Sequence, residues 1–175
     1  MKQIFVLLSV LISSISYSQT TWKPESYEIS FKIKNAGITV TGRFTGLKTD
    51  LKFSPDRLDN SHLNASVEVS TIKTGIGKRD DDLQKETYFN SGKYKLIEIK
   101  SFKLYKKGDQ YEGLFNVTIK GVTKQVEIPF GFDKTGNEAH FKGGFTINRR
   151  DFGVGGKTMT MSEHADVSID IKAKS

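Results

Sequence analysis

The sequence predicts an all-β fold: an eight-stranded antiparallel barrel with an apolar interior and one short helix. Three observations carry this prediction. Eight stretches alternate apolar and polar residues with a period of two, which gives each strand one face for a core and one for water. The breaks between them are mostly short, and no long helical stretch separates two strands, so a parallel sheet built from βαβ units is disfavoured. Eight antiparallel strands with one apolar face remove their edges by closing on themselves.

Two other all-β architectures fit less well. An immunoglobulin-type sandwich lacks support because the chain has no cysteine, and its single tryptophan, Trp22, lies ahead of the first alternating stretch. An outer-membrane barrel needs apolar residues on the lipid side and a polar lumen. Here the second face of each strand carries Lys, Glu, Ser and Thr, which suits water outside.

Taken in order, Tyr27, Ile29, Phe31 and Ile33 alternate with polar residues up to the turn Asn35-Ala36-Gly37. Ile38, Val40, Gly42 and Phe44 continue the pattern as the return strand of a first hairpin. A weaker extended piece follows over residues 47–53, then a turn or helical stub begun by Pro55. Leu63, Ala65, Val67 and Val69 form the next alternating strand. Residues 77–93 are the chief departure from period two. Asp80, Asp81 and Asp82 stand where a helix N-terminus favours acids, so a helix of about two turns is expected there. Strands resume with Ile97 and Ile99, and a parity slip near Ser101 before Phe102 and Leu104 predicts a bulge. The cleanest alternation is in residues 111–132. There Tyr111, Phe115, Val117 and Ile119 precede a Lys120-Gly121 turn, and Val122, Val126, Ile128, Phe130 and Phe132 follow it. Pro129 has no N–H to donate, so it marks a local edge or bulge in that second strand. Ala139, Phe141, Gly143, Phe145 and Ile147 make one more strand. A loop with three glycines (residues 149–156) leads to the last, with Ala165, Val167, Ile169 and Ile171.

The first eighteen residues read as a signal peptide: a basic start at Lys2, an apolar run over residues 4–15, and small residues before Gln19. The apolar run is short for a membrane span. The expected domain is therefore residues 19–175, exported to the periplasm or secreted. Without cysteine there is no disulfide framework, no thiolate metal site, no Cys nucleophile and no lipidated cysteine. The formal charge of +7 is spread along the strands as single lysines. That pattern lacks the basic stripe with interleaved aromatics that nucleic acid requires, and no nucleic-acid partner is expected. It is compatible with weak, transient attraction to an anionic membrane surface.

Five blocks resemble the YceI-like, lipid-binding family of exported bacterial proteins: FKIKNAGITVTGRFTGL (31–47), STIKTGIGKRDDDL (70–83), YFNSGKYKLIEIKS (88–101), GLFNVTIKGVTKQVEIPF (113–130) and NRRDFGVG (148–155). The resemblance implies a lipocalin-like barrel whose elongated cavity holds an isoprenoid or another long apolar chain; no covalent chemistry and no cofactor are expected. Members commonly carry His where this chain has Asp82, and Pro where it has Lys95. The ligand-lining residues expected from the strands are Phe31, Ile33, Val40, Phe44, Val67, Val69, Ile97, Ile99, Phe115, Val117, Ile128, Phe130, Phe145 and Ile147. Leu83, Tyr88, Phe89 and Phe152 are added from the irregular segments. The resemblance leaves the oligomeric state open, a dimer included.

Other readings stand beside this one. A barrel of this size is also able to fill its interior with its own side chains and serve as an interaction module. Glycines at the inward positions 42, 113 and 143 remove volume and favour a cavity. Arg79 and Arg149 offer forks suited to a phosphate or carboxylate head group; alternatively, they pin the helix and the glycine loop to the barrel. An enzyme acting on a lipid-like substrate is the other class. Against it, the chain has no G-x-S-x-G elbow and no H-E-x-x-H helix. The three histidines are far apart, with no metal-ligand spacing.

Overall fold

The computed structural model describes residues 19–175, and the expected signal peptide (residues 1–18) lies outside the described residues. Nine strand segments form: β1 (Thr21–Asn35), β2 (Ile38–Phe44), β3 (Lys48–Lys52), β4 (His62–Glu68), β5 (Leu96–Lys107), β6 (Gln110–Ile119), β7 (Val122–Thr135), β8 (Glu138–Asn148) and β9 (Met161–Lys174). They occupy eight places around a closed antiparallel barrel. β2 and β3 follow one another along the same side of β1, pairing Ile29 with Phe44 and Trp22 with Leu51 respectively. Closure comes from β1 pairing with β9 on its other side. The weak piece at 47–53 is thus the second half of an interrupted strand. Across the interruption, the exposed Tyr27 places its hydroxyl to accept the N–H groups of Gly46 and Leu47.

β1 starts earlier than the alternation suggested. Trp22 lies inside it, 2% exposed, and its Nε1–H donates to the Phe53 carbonyl at 2.9 Å. A register shift between Pro24 and Ser26 explains the discrepancy: it moves the inward parity from even to odd before Ile29. The expected bulge in β5 lies between Ser101 and Lys103. It turns Phe102 outward, to 68% exposure, so only Leu104 resumes the inward set.

The central hairpin turns through Lys120 (φ 51°) and Gly121 (φ 76°), the left-handed pair that a two-residue hairpin favours. Ile119 faces Val122 across it. β7 pairs with β8 only from Phe130 onward, so residues 122–129 are bonded to β6 alone. Pro129 ends this edge, as its missing donor predicted. On the edge, Lys124 faces the buried Val117 yet is exposed, and a lysine on the inward row discourages further strand pairing.

Among the described residues there is one α-helix, α1 (Gly77–Gln84), and the segment leading into it is tied to β2 by a two-bond bridge between Lys73 and Arg43. α1 belongs to one end of the barrel, with the connections 36–37, 69–95, 120–121 and 149–160. The other end has the connections 53–61, 108–109 and 136–137. That second end is packed solid. Phe53, fully buried, meets Tyr111, Phe130, Phe132 and Phe141 edge-on, with ring centroids 4.7–5.9 Å apart. Trp22 adds edge contacts to Phe132 and Phe141.

Candidate functional site

The α1 end is hollow. A cavity of about 460 Å³ opens there, inside the ~300–1,000 Å³ range of small-molecule sites. Phe31, Ile33, Val40 and Phe44 line it from the first hairpin, Val67 from β4, Ile97 and Ile99 from β5, Val117 from β6, and Phe145 and Ile147 from β8. Arg79, Leu83, Tyr88, Phe89, Arg149 and Phe152 close around its mouth.

Val69, Phe115, Ile128 and Phe130 lie away from it. Val69 opens a short 3-10 turn (Val69–Thr71) and is buried outside the cavity. Phe115, Ile128 and Phe130 are 3–7% exposed and belong to the filled half. The reason is their height along the strands. Tyr111 faces Phe130 and Gly113 faces Ile128, both toward the closed end, whereas Val117 and Ile119 lie toward the open one. The expectation omitted β9, whose Ala165, Val167 and Ile169 form part of the wall. Their alternation was visible in the sequence and shares the parity of the other lining residues. Ile29, Leu47, Ala65 and Ile119 add to the apolar lining, and Ser30, Ser66, Asn35 and the carboxylate of Glu98 are among its polar groups.

The interior glycines do not create this space. A Cβ on Gly42 would lie 2.2 Å from Cζ of Phe31, its cross-strand partner, because that ring covers the glycine. A Cβ on Gly113 would lie 2.6 Å from Phe115 and 2.7 Å from Leu104. At Gly143 the Pro129 carbonyl oxygen and Phe130 are within 3.4 Å. The glycines seat rings and neighbouring backbone, and the cavity exists because the side chains at its level are mostly aliphatic rather than aromatic.

Arg149 is the most constrained polar group at the mouth, only 4% exposed. Nε donates to the Ser162 carbonyl at 2.8 Å, Nη1 to those of Val154 (2.7 Å) and Gly156 (2.8 Å), and Nη2 to Met161 O (3.3 Å) and Thr158 Oγ1 (3.4 Å). It therefore organises residues 154–162 around itself. Gly155 (φ 73°) permits this approach, since a Cβ there would sit 3.0 Å from both Nη1 and the Tyr88 ring. No ion pair involves Arg149 among the described residues, and burial lowers its pKa from the ordinary arginine value. Its donors serve the protein, and Glu163 acts on its charge from a distance without pairing with it.

Arg79 and Asp80 clamp the start of α1. Arg79 donates from Nε to Thr74 Oγ1 (2.8 Å) and from Nη2 to Thr74 O (2.7 Å). Asp80, 4% exposed, accepts from the Thr74 hydroxyl at 2.6 Å and from its N–H at 2.8 Å. The Thr74 hydroxyl is the main cause holding the Asp80 carboxyl below its ordinary value of 3.8. A carboxylate with a lowered folded pKa stabilises the fold fully above its unfolded value, and that contribution fades as pH falls through the folded one. The α1 segment should accordingly loosen in acid, and amide exchange over 74–84 should accelerate below about pH 4. Asp80→Asn should exchange fast at neutral pH and lose that acid dependence.

The mouth segments are bonded to one another. Gly155 N–H donates to the Thr87 carbonyl at 2.8 Å, and Lys120 Nζ donates to Glu86 O (2.7 Å) and Gly153 O (2.8 Å). Asp82 lines the mouth and accepts a hydrogen bond from Lys85 Nζ at 2.6 Å. His62 and His140 are on separate strands, each against an aspartate, Asp50 and Asp170.

Comparison with known proteins agrees with this architecture. The BcnA crystal structure from Burkholderia cenocepacia superposes with a TM-score of 0.81 at 20% identity, covering 85% of this chain and 96% of that one. The Campylobacter jejuni YCEI protein matches with a TM-score of 0.71 at 17% identity over 99% of both chains. A structure described as a polyisoprenoid binding domain from Saccharophagus degradans gives a TM-score of 0.68 at 11% identity, covering 89% of this chain and 97% of that one. In sequence, a UPF0312 protein of Vibrio parahaemolyticus is 26% identical over 152 residues, covering 82% of this chain and 79% of the relative. The YceI-like domain itself matches residues 21–173, nearly the whole of the barrel from β1 through β9, and on that ground the chain belongs to the YceI-like domain family.

Proposed function

We propose that this protein is an exported carrier that sequesters a polyisoprenoid or similar long-chain amphiphile in the barrel cavity, without covalent chemistry. The observation that supports this most is the division of the barrel into an aromatic, filled half and an aliphatic, hollow half. A core needed only for stability would be filled throughout, because each void forfeits packing contacts. Apolar surface shielded in such a cavity stabilises a bound tail by about 25 cal/mol per Å². The likeness to a domain described as polyisoprenoid binding favours the isoprenoid among long apolar chains. The charge of Arg149, which no direct ion pair meets among the described residues, favours a head group rich in oxygen acceptors over a cationic one. The basic start and apolar run of residues 1–18 support export to the periplasm or outside the cell, which would place the carrier where such lipids must cross water.

The test is mass spectrometry of solvent extracts from protein purified from its own host. A recurrent, stoichiometric long-chain lipid supports the reading. Repeated extracts without lipid, or steady conversion of the bound molecule into a product, would overturn it.

A further inference from the structure

We propose that the open end of the barrel is a docking surface for an anionic phospholipid membrane. The inference rests on the carrier reading and adds where the cargo is exchanged. Among the described residues the exposed large apolar side chains are unevenly placed. Ile38, Ile76, Leu96, Val122 and Met159 all lie in, or first after, the connections of the open end, and Met159 is fully exposed. None lies at the closed end. The remaining two are on the wall: Tyr27 over the β2–β3 interruption and Phe102 in the β5 bulge.

Charge follows the same axis. The connection 69–95 carries six Lys or Arg against four acids, 120–121 adds Lys120, and 149–160 has three against one. The closed-end connections 53–61, 108–109 and 136–137 together carry one Arg against three Asp. The open-end connections are thus cationic and studded with apolar side chains, whereas the closed-end connections are polar and weakly acidic, with lysines such as Lys52 and Lys107 on the adjoining strand ends.

The rim is also one continuous object. Ala36 N–H donates to Thr160 O at 2.8 Å, which joins the first hairpin turn to the 149–160 loop. Gly155 and Lys120 join that loop to the segment after α1 and to the central hairpin turn. Apolar side chains set among lysines around a mouth match the interfacial layer of an anionic bilayer, where the chains enter the acyl boundary and the ammonium groups meet lipid phosphates. A second copy of this chain would bring two cationic rims together, which opposes self-association. The cavity mouth lies within the rim, so a docked protein would open its apolar interior onto the membrane and a lipid tail could transfer without crossing bulk water.

Co-sedimentation with vesicles tests this. All variants are compared in the same exported chain, so whatever precedes Gln19 contributes equally. Vesicles of phosphatidylglycerol and phosphatidylcholine in equal parts should bind the protein, phosphatidylcholine alone should bind it far less, and salt should release it. Replacing Lys93 and Lys157 together with serine should weaken binding about 25-fold, near five-fold for each charge. Ile38→Ser with Met159→Ser should weaken it about ten-fold, and Phe102→Ser should change nothing. Equal binding to both vesicle types, or rim variants that bind like the parent, would overturn the proposal. So would a concentration-dependent dimer that Met159→Ser dissolves, since it would assign the rim to a second copy. A protein that yields lipid on extraction but ignores vesicles refutes the docking alone and leaves the carrier reading intact.

Discussion

Phe53→Ala is expected to lower the free energy of unfolding by about 3–5 kcal/mol. Phe53 is fully buried, and its ring stands at the centre of the aromatic cluster formed with Tyr111, Phe130, Phe132 and Phe141. These partners come from β6, β7 and β8, so they are held apart by strand hydrogen bonds and have little freedom to collapse into the void. The loss therefore includes the ring's transfer free energy, the cavity left behind and edge-to-face contacts of about 0.5–1.5 kcal/mol each. It is a large share of the ~5–15 kcal/mol that keeps a typical domain folded. Urea unfolding measures it, with a lower midpoint and an unchanged slope expected. Phe102→Ala, at an exposed ring, should stay within about 0.5 kcal/mol. A Phe53→Ala loss below about 1 kcal/mol would mean that the closed end repacks easily and is no rigid floor for the cavity.

Arg149→Lys is expected to cost about 3 kcal/mol and to speed ligand release, although the charge is kept. The guanidinium reaches four carbonyls and one hydroxyl in three directions, and a lysine has one nitrogen to offer them. Each buried carbonyl left without its donor costs about 1–3 kcal/mol. Because those carbonyls belong to residues 154–162, the damage should be local. Amide exchange should rise across 153–161 and, through the Gly155–Thr87 bond, across residues 85–89. The readouts are the melting temperature, the exchange map and the lipid dissociation rate. A variant that leaves all three unchanged would show that Arg149 serves only as a charge.

The period of two, the turn residues and the missing donor of Pro129 depend on local chemistry, and each was legible along the chain. So were the strand count, a short helix within residues 77–93 (which ends at Gln84, before Tyr88 and Phe89), the bulge near Ser101 and the edge at Pro129. Parity alone also identified the cavity wall at Phe31, Val67, Ile99, Val117 and Ile147, since parity states which side chains point inward. It could not state their height. Phe115 and Val117 share one strand and one face, yet the first packs in the filled layer and the second lines the cavity. Only the closed register, with Tyr111 beside Phe130, sets the two levels. Trp22 was hidden for a related reason, because a bulge between Pro24 and Ser26 changes the parity that a linear reading extrapolates.

By itself the sequence determined an antiparallel barrel with an apolar inside, because alternation is a property of the backbone that each strand carries alone. Tertiary structure decided which end is hollow, what the glycines accommodate and that Arg149 binds its own loop. Those are matters of what meets what across strands far apart in the chain: the ring of Phe31 over Gly42, or one guanidinium among the carbonyls of residues 154–162.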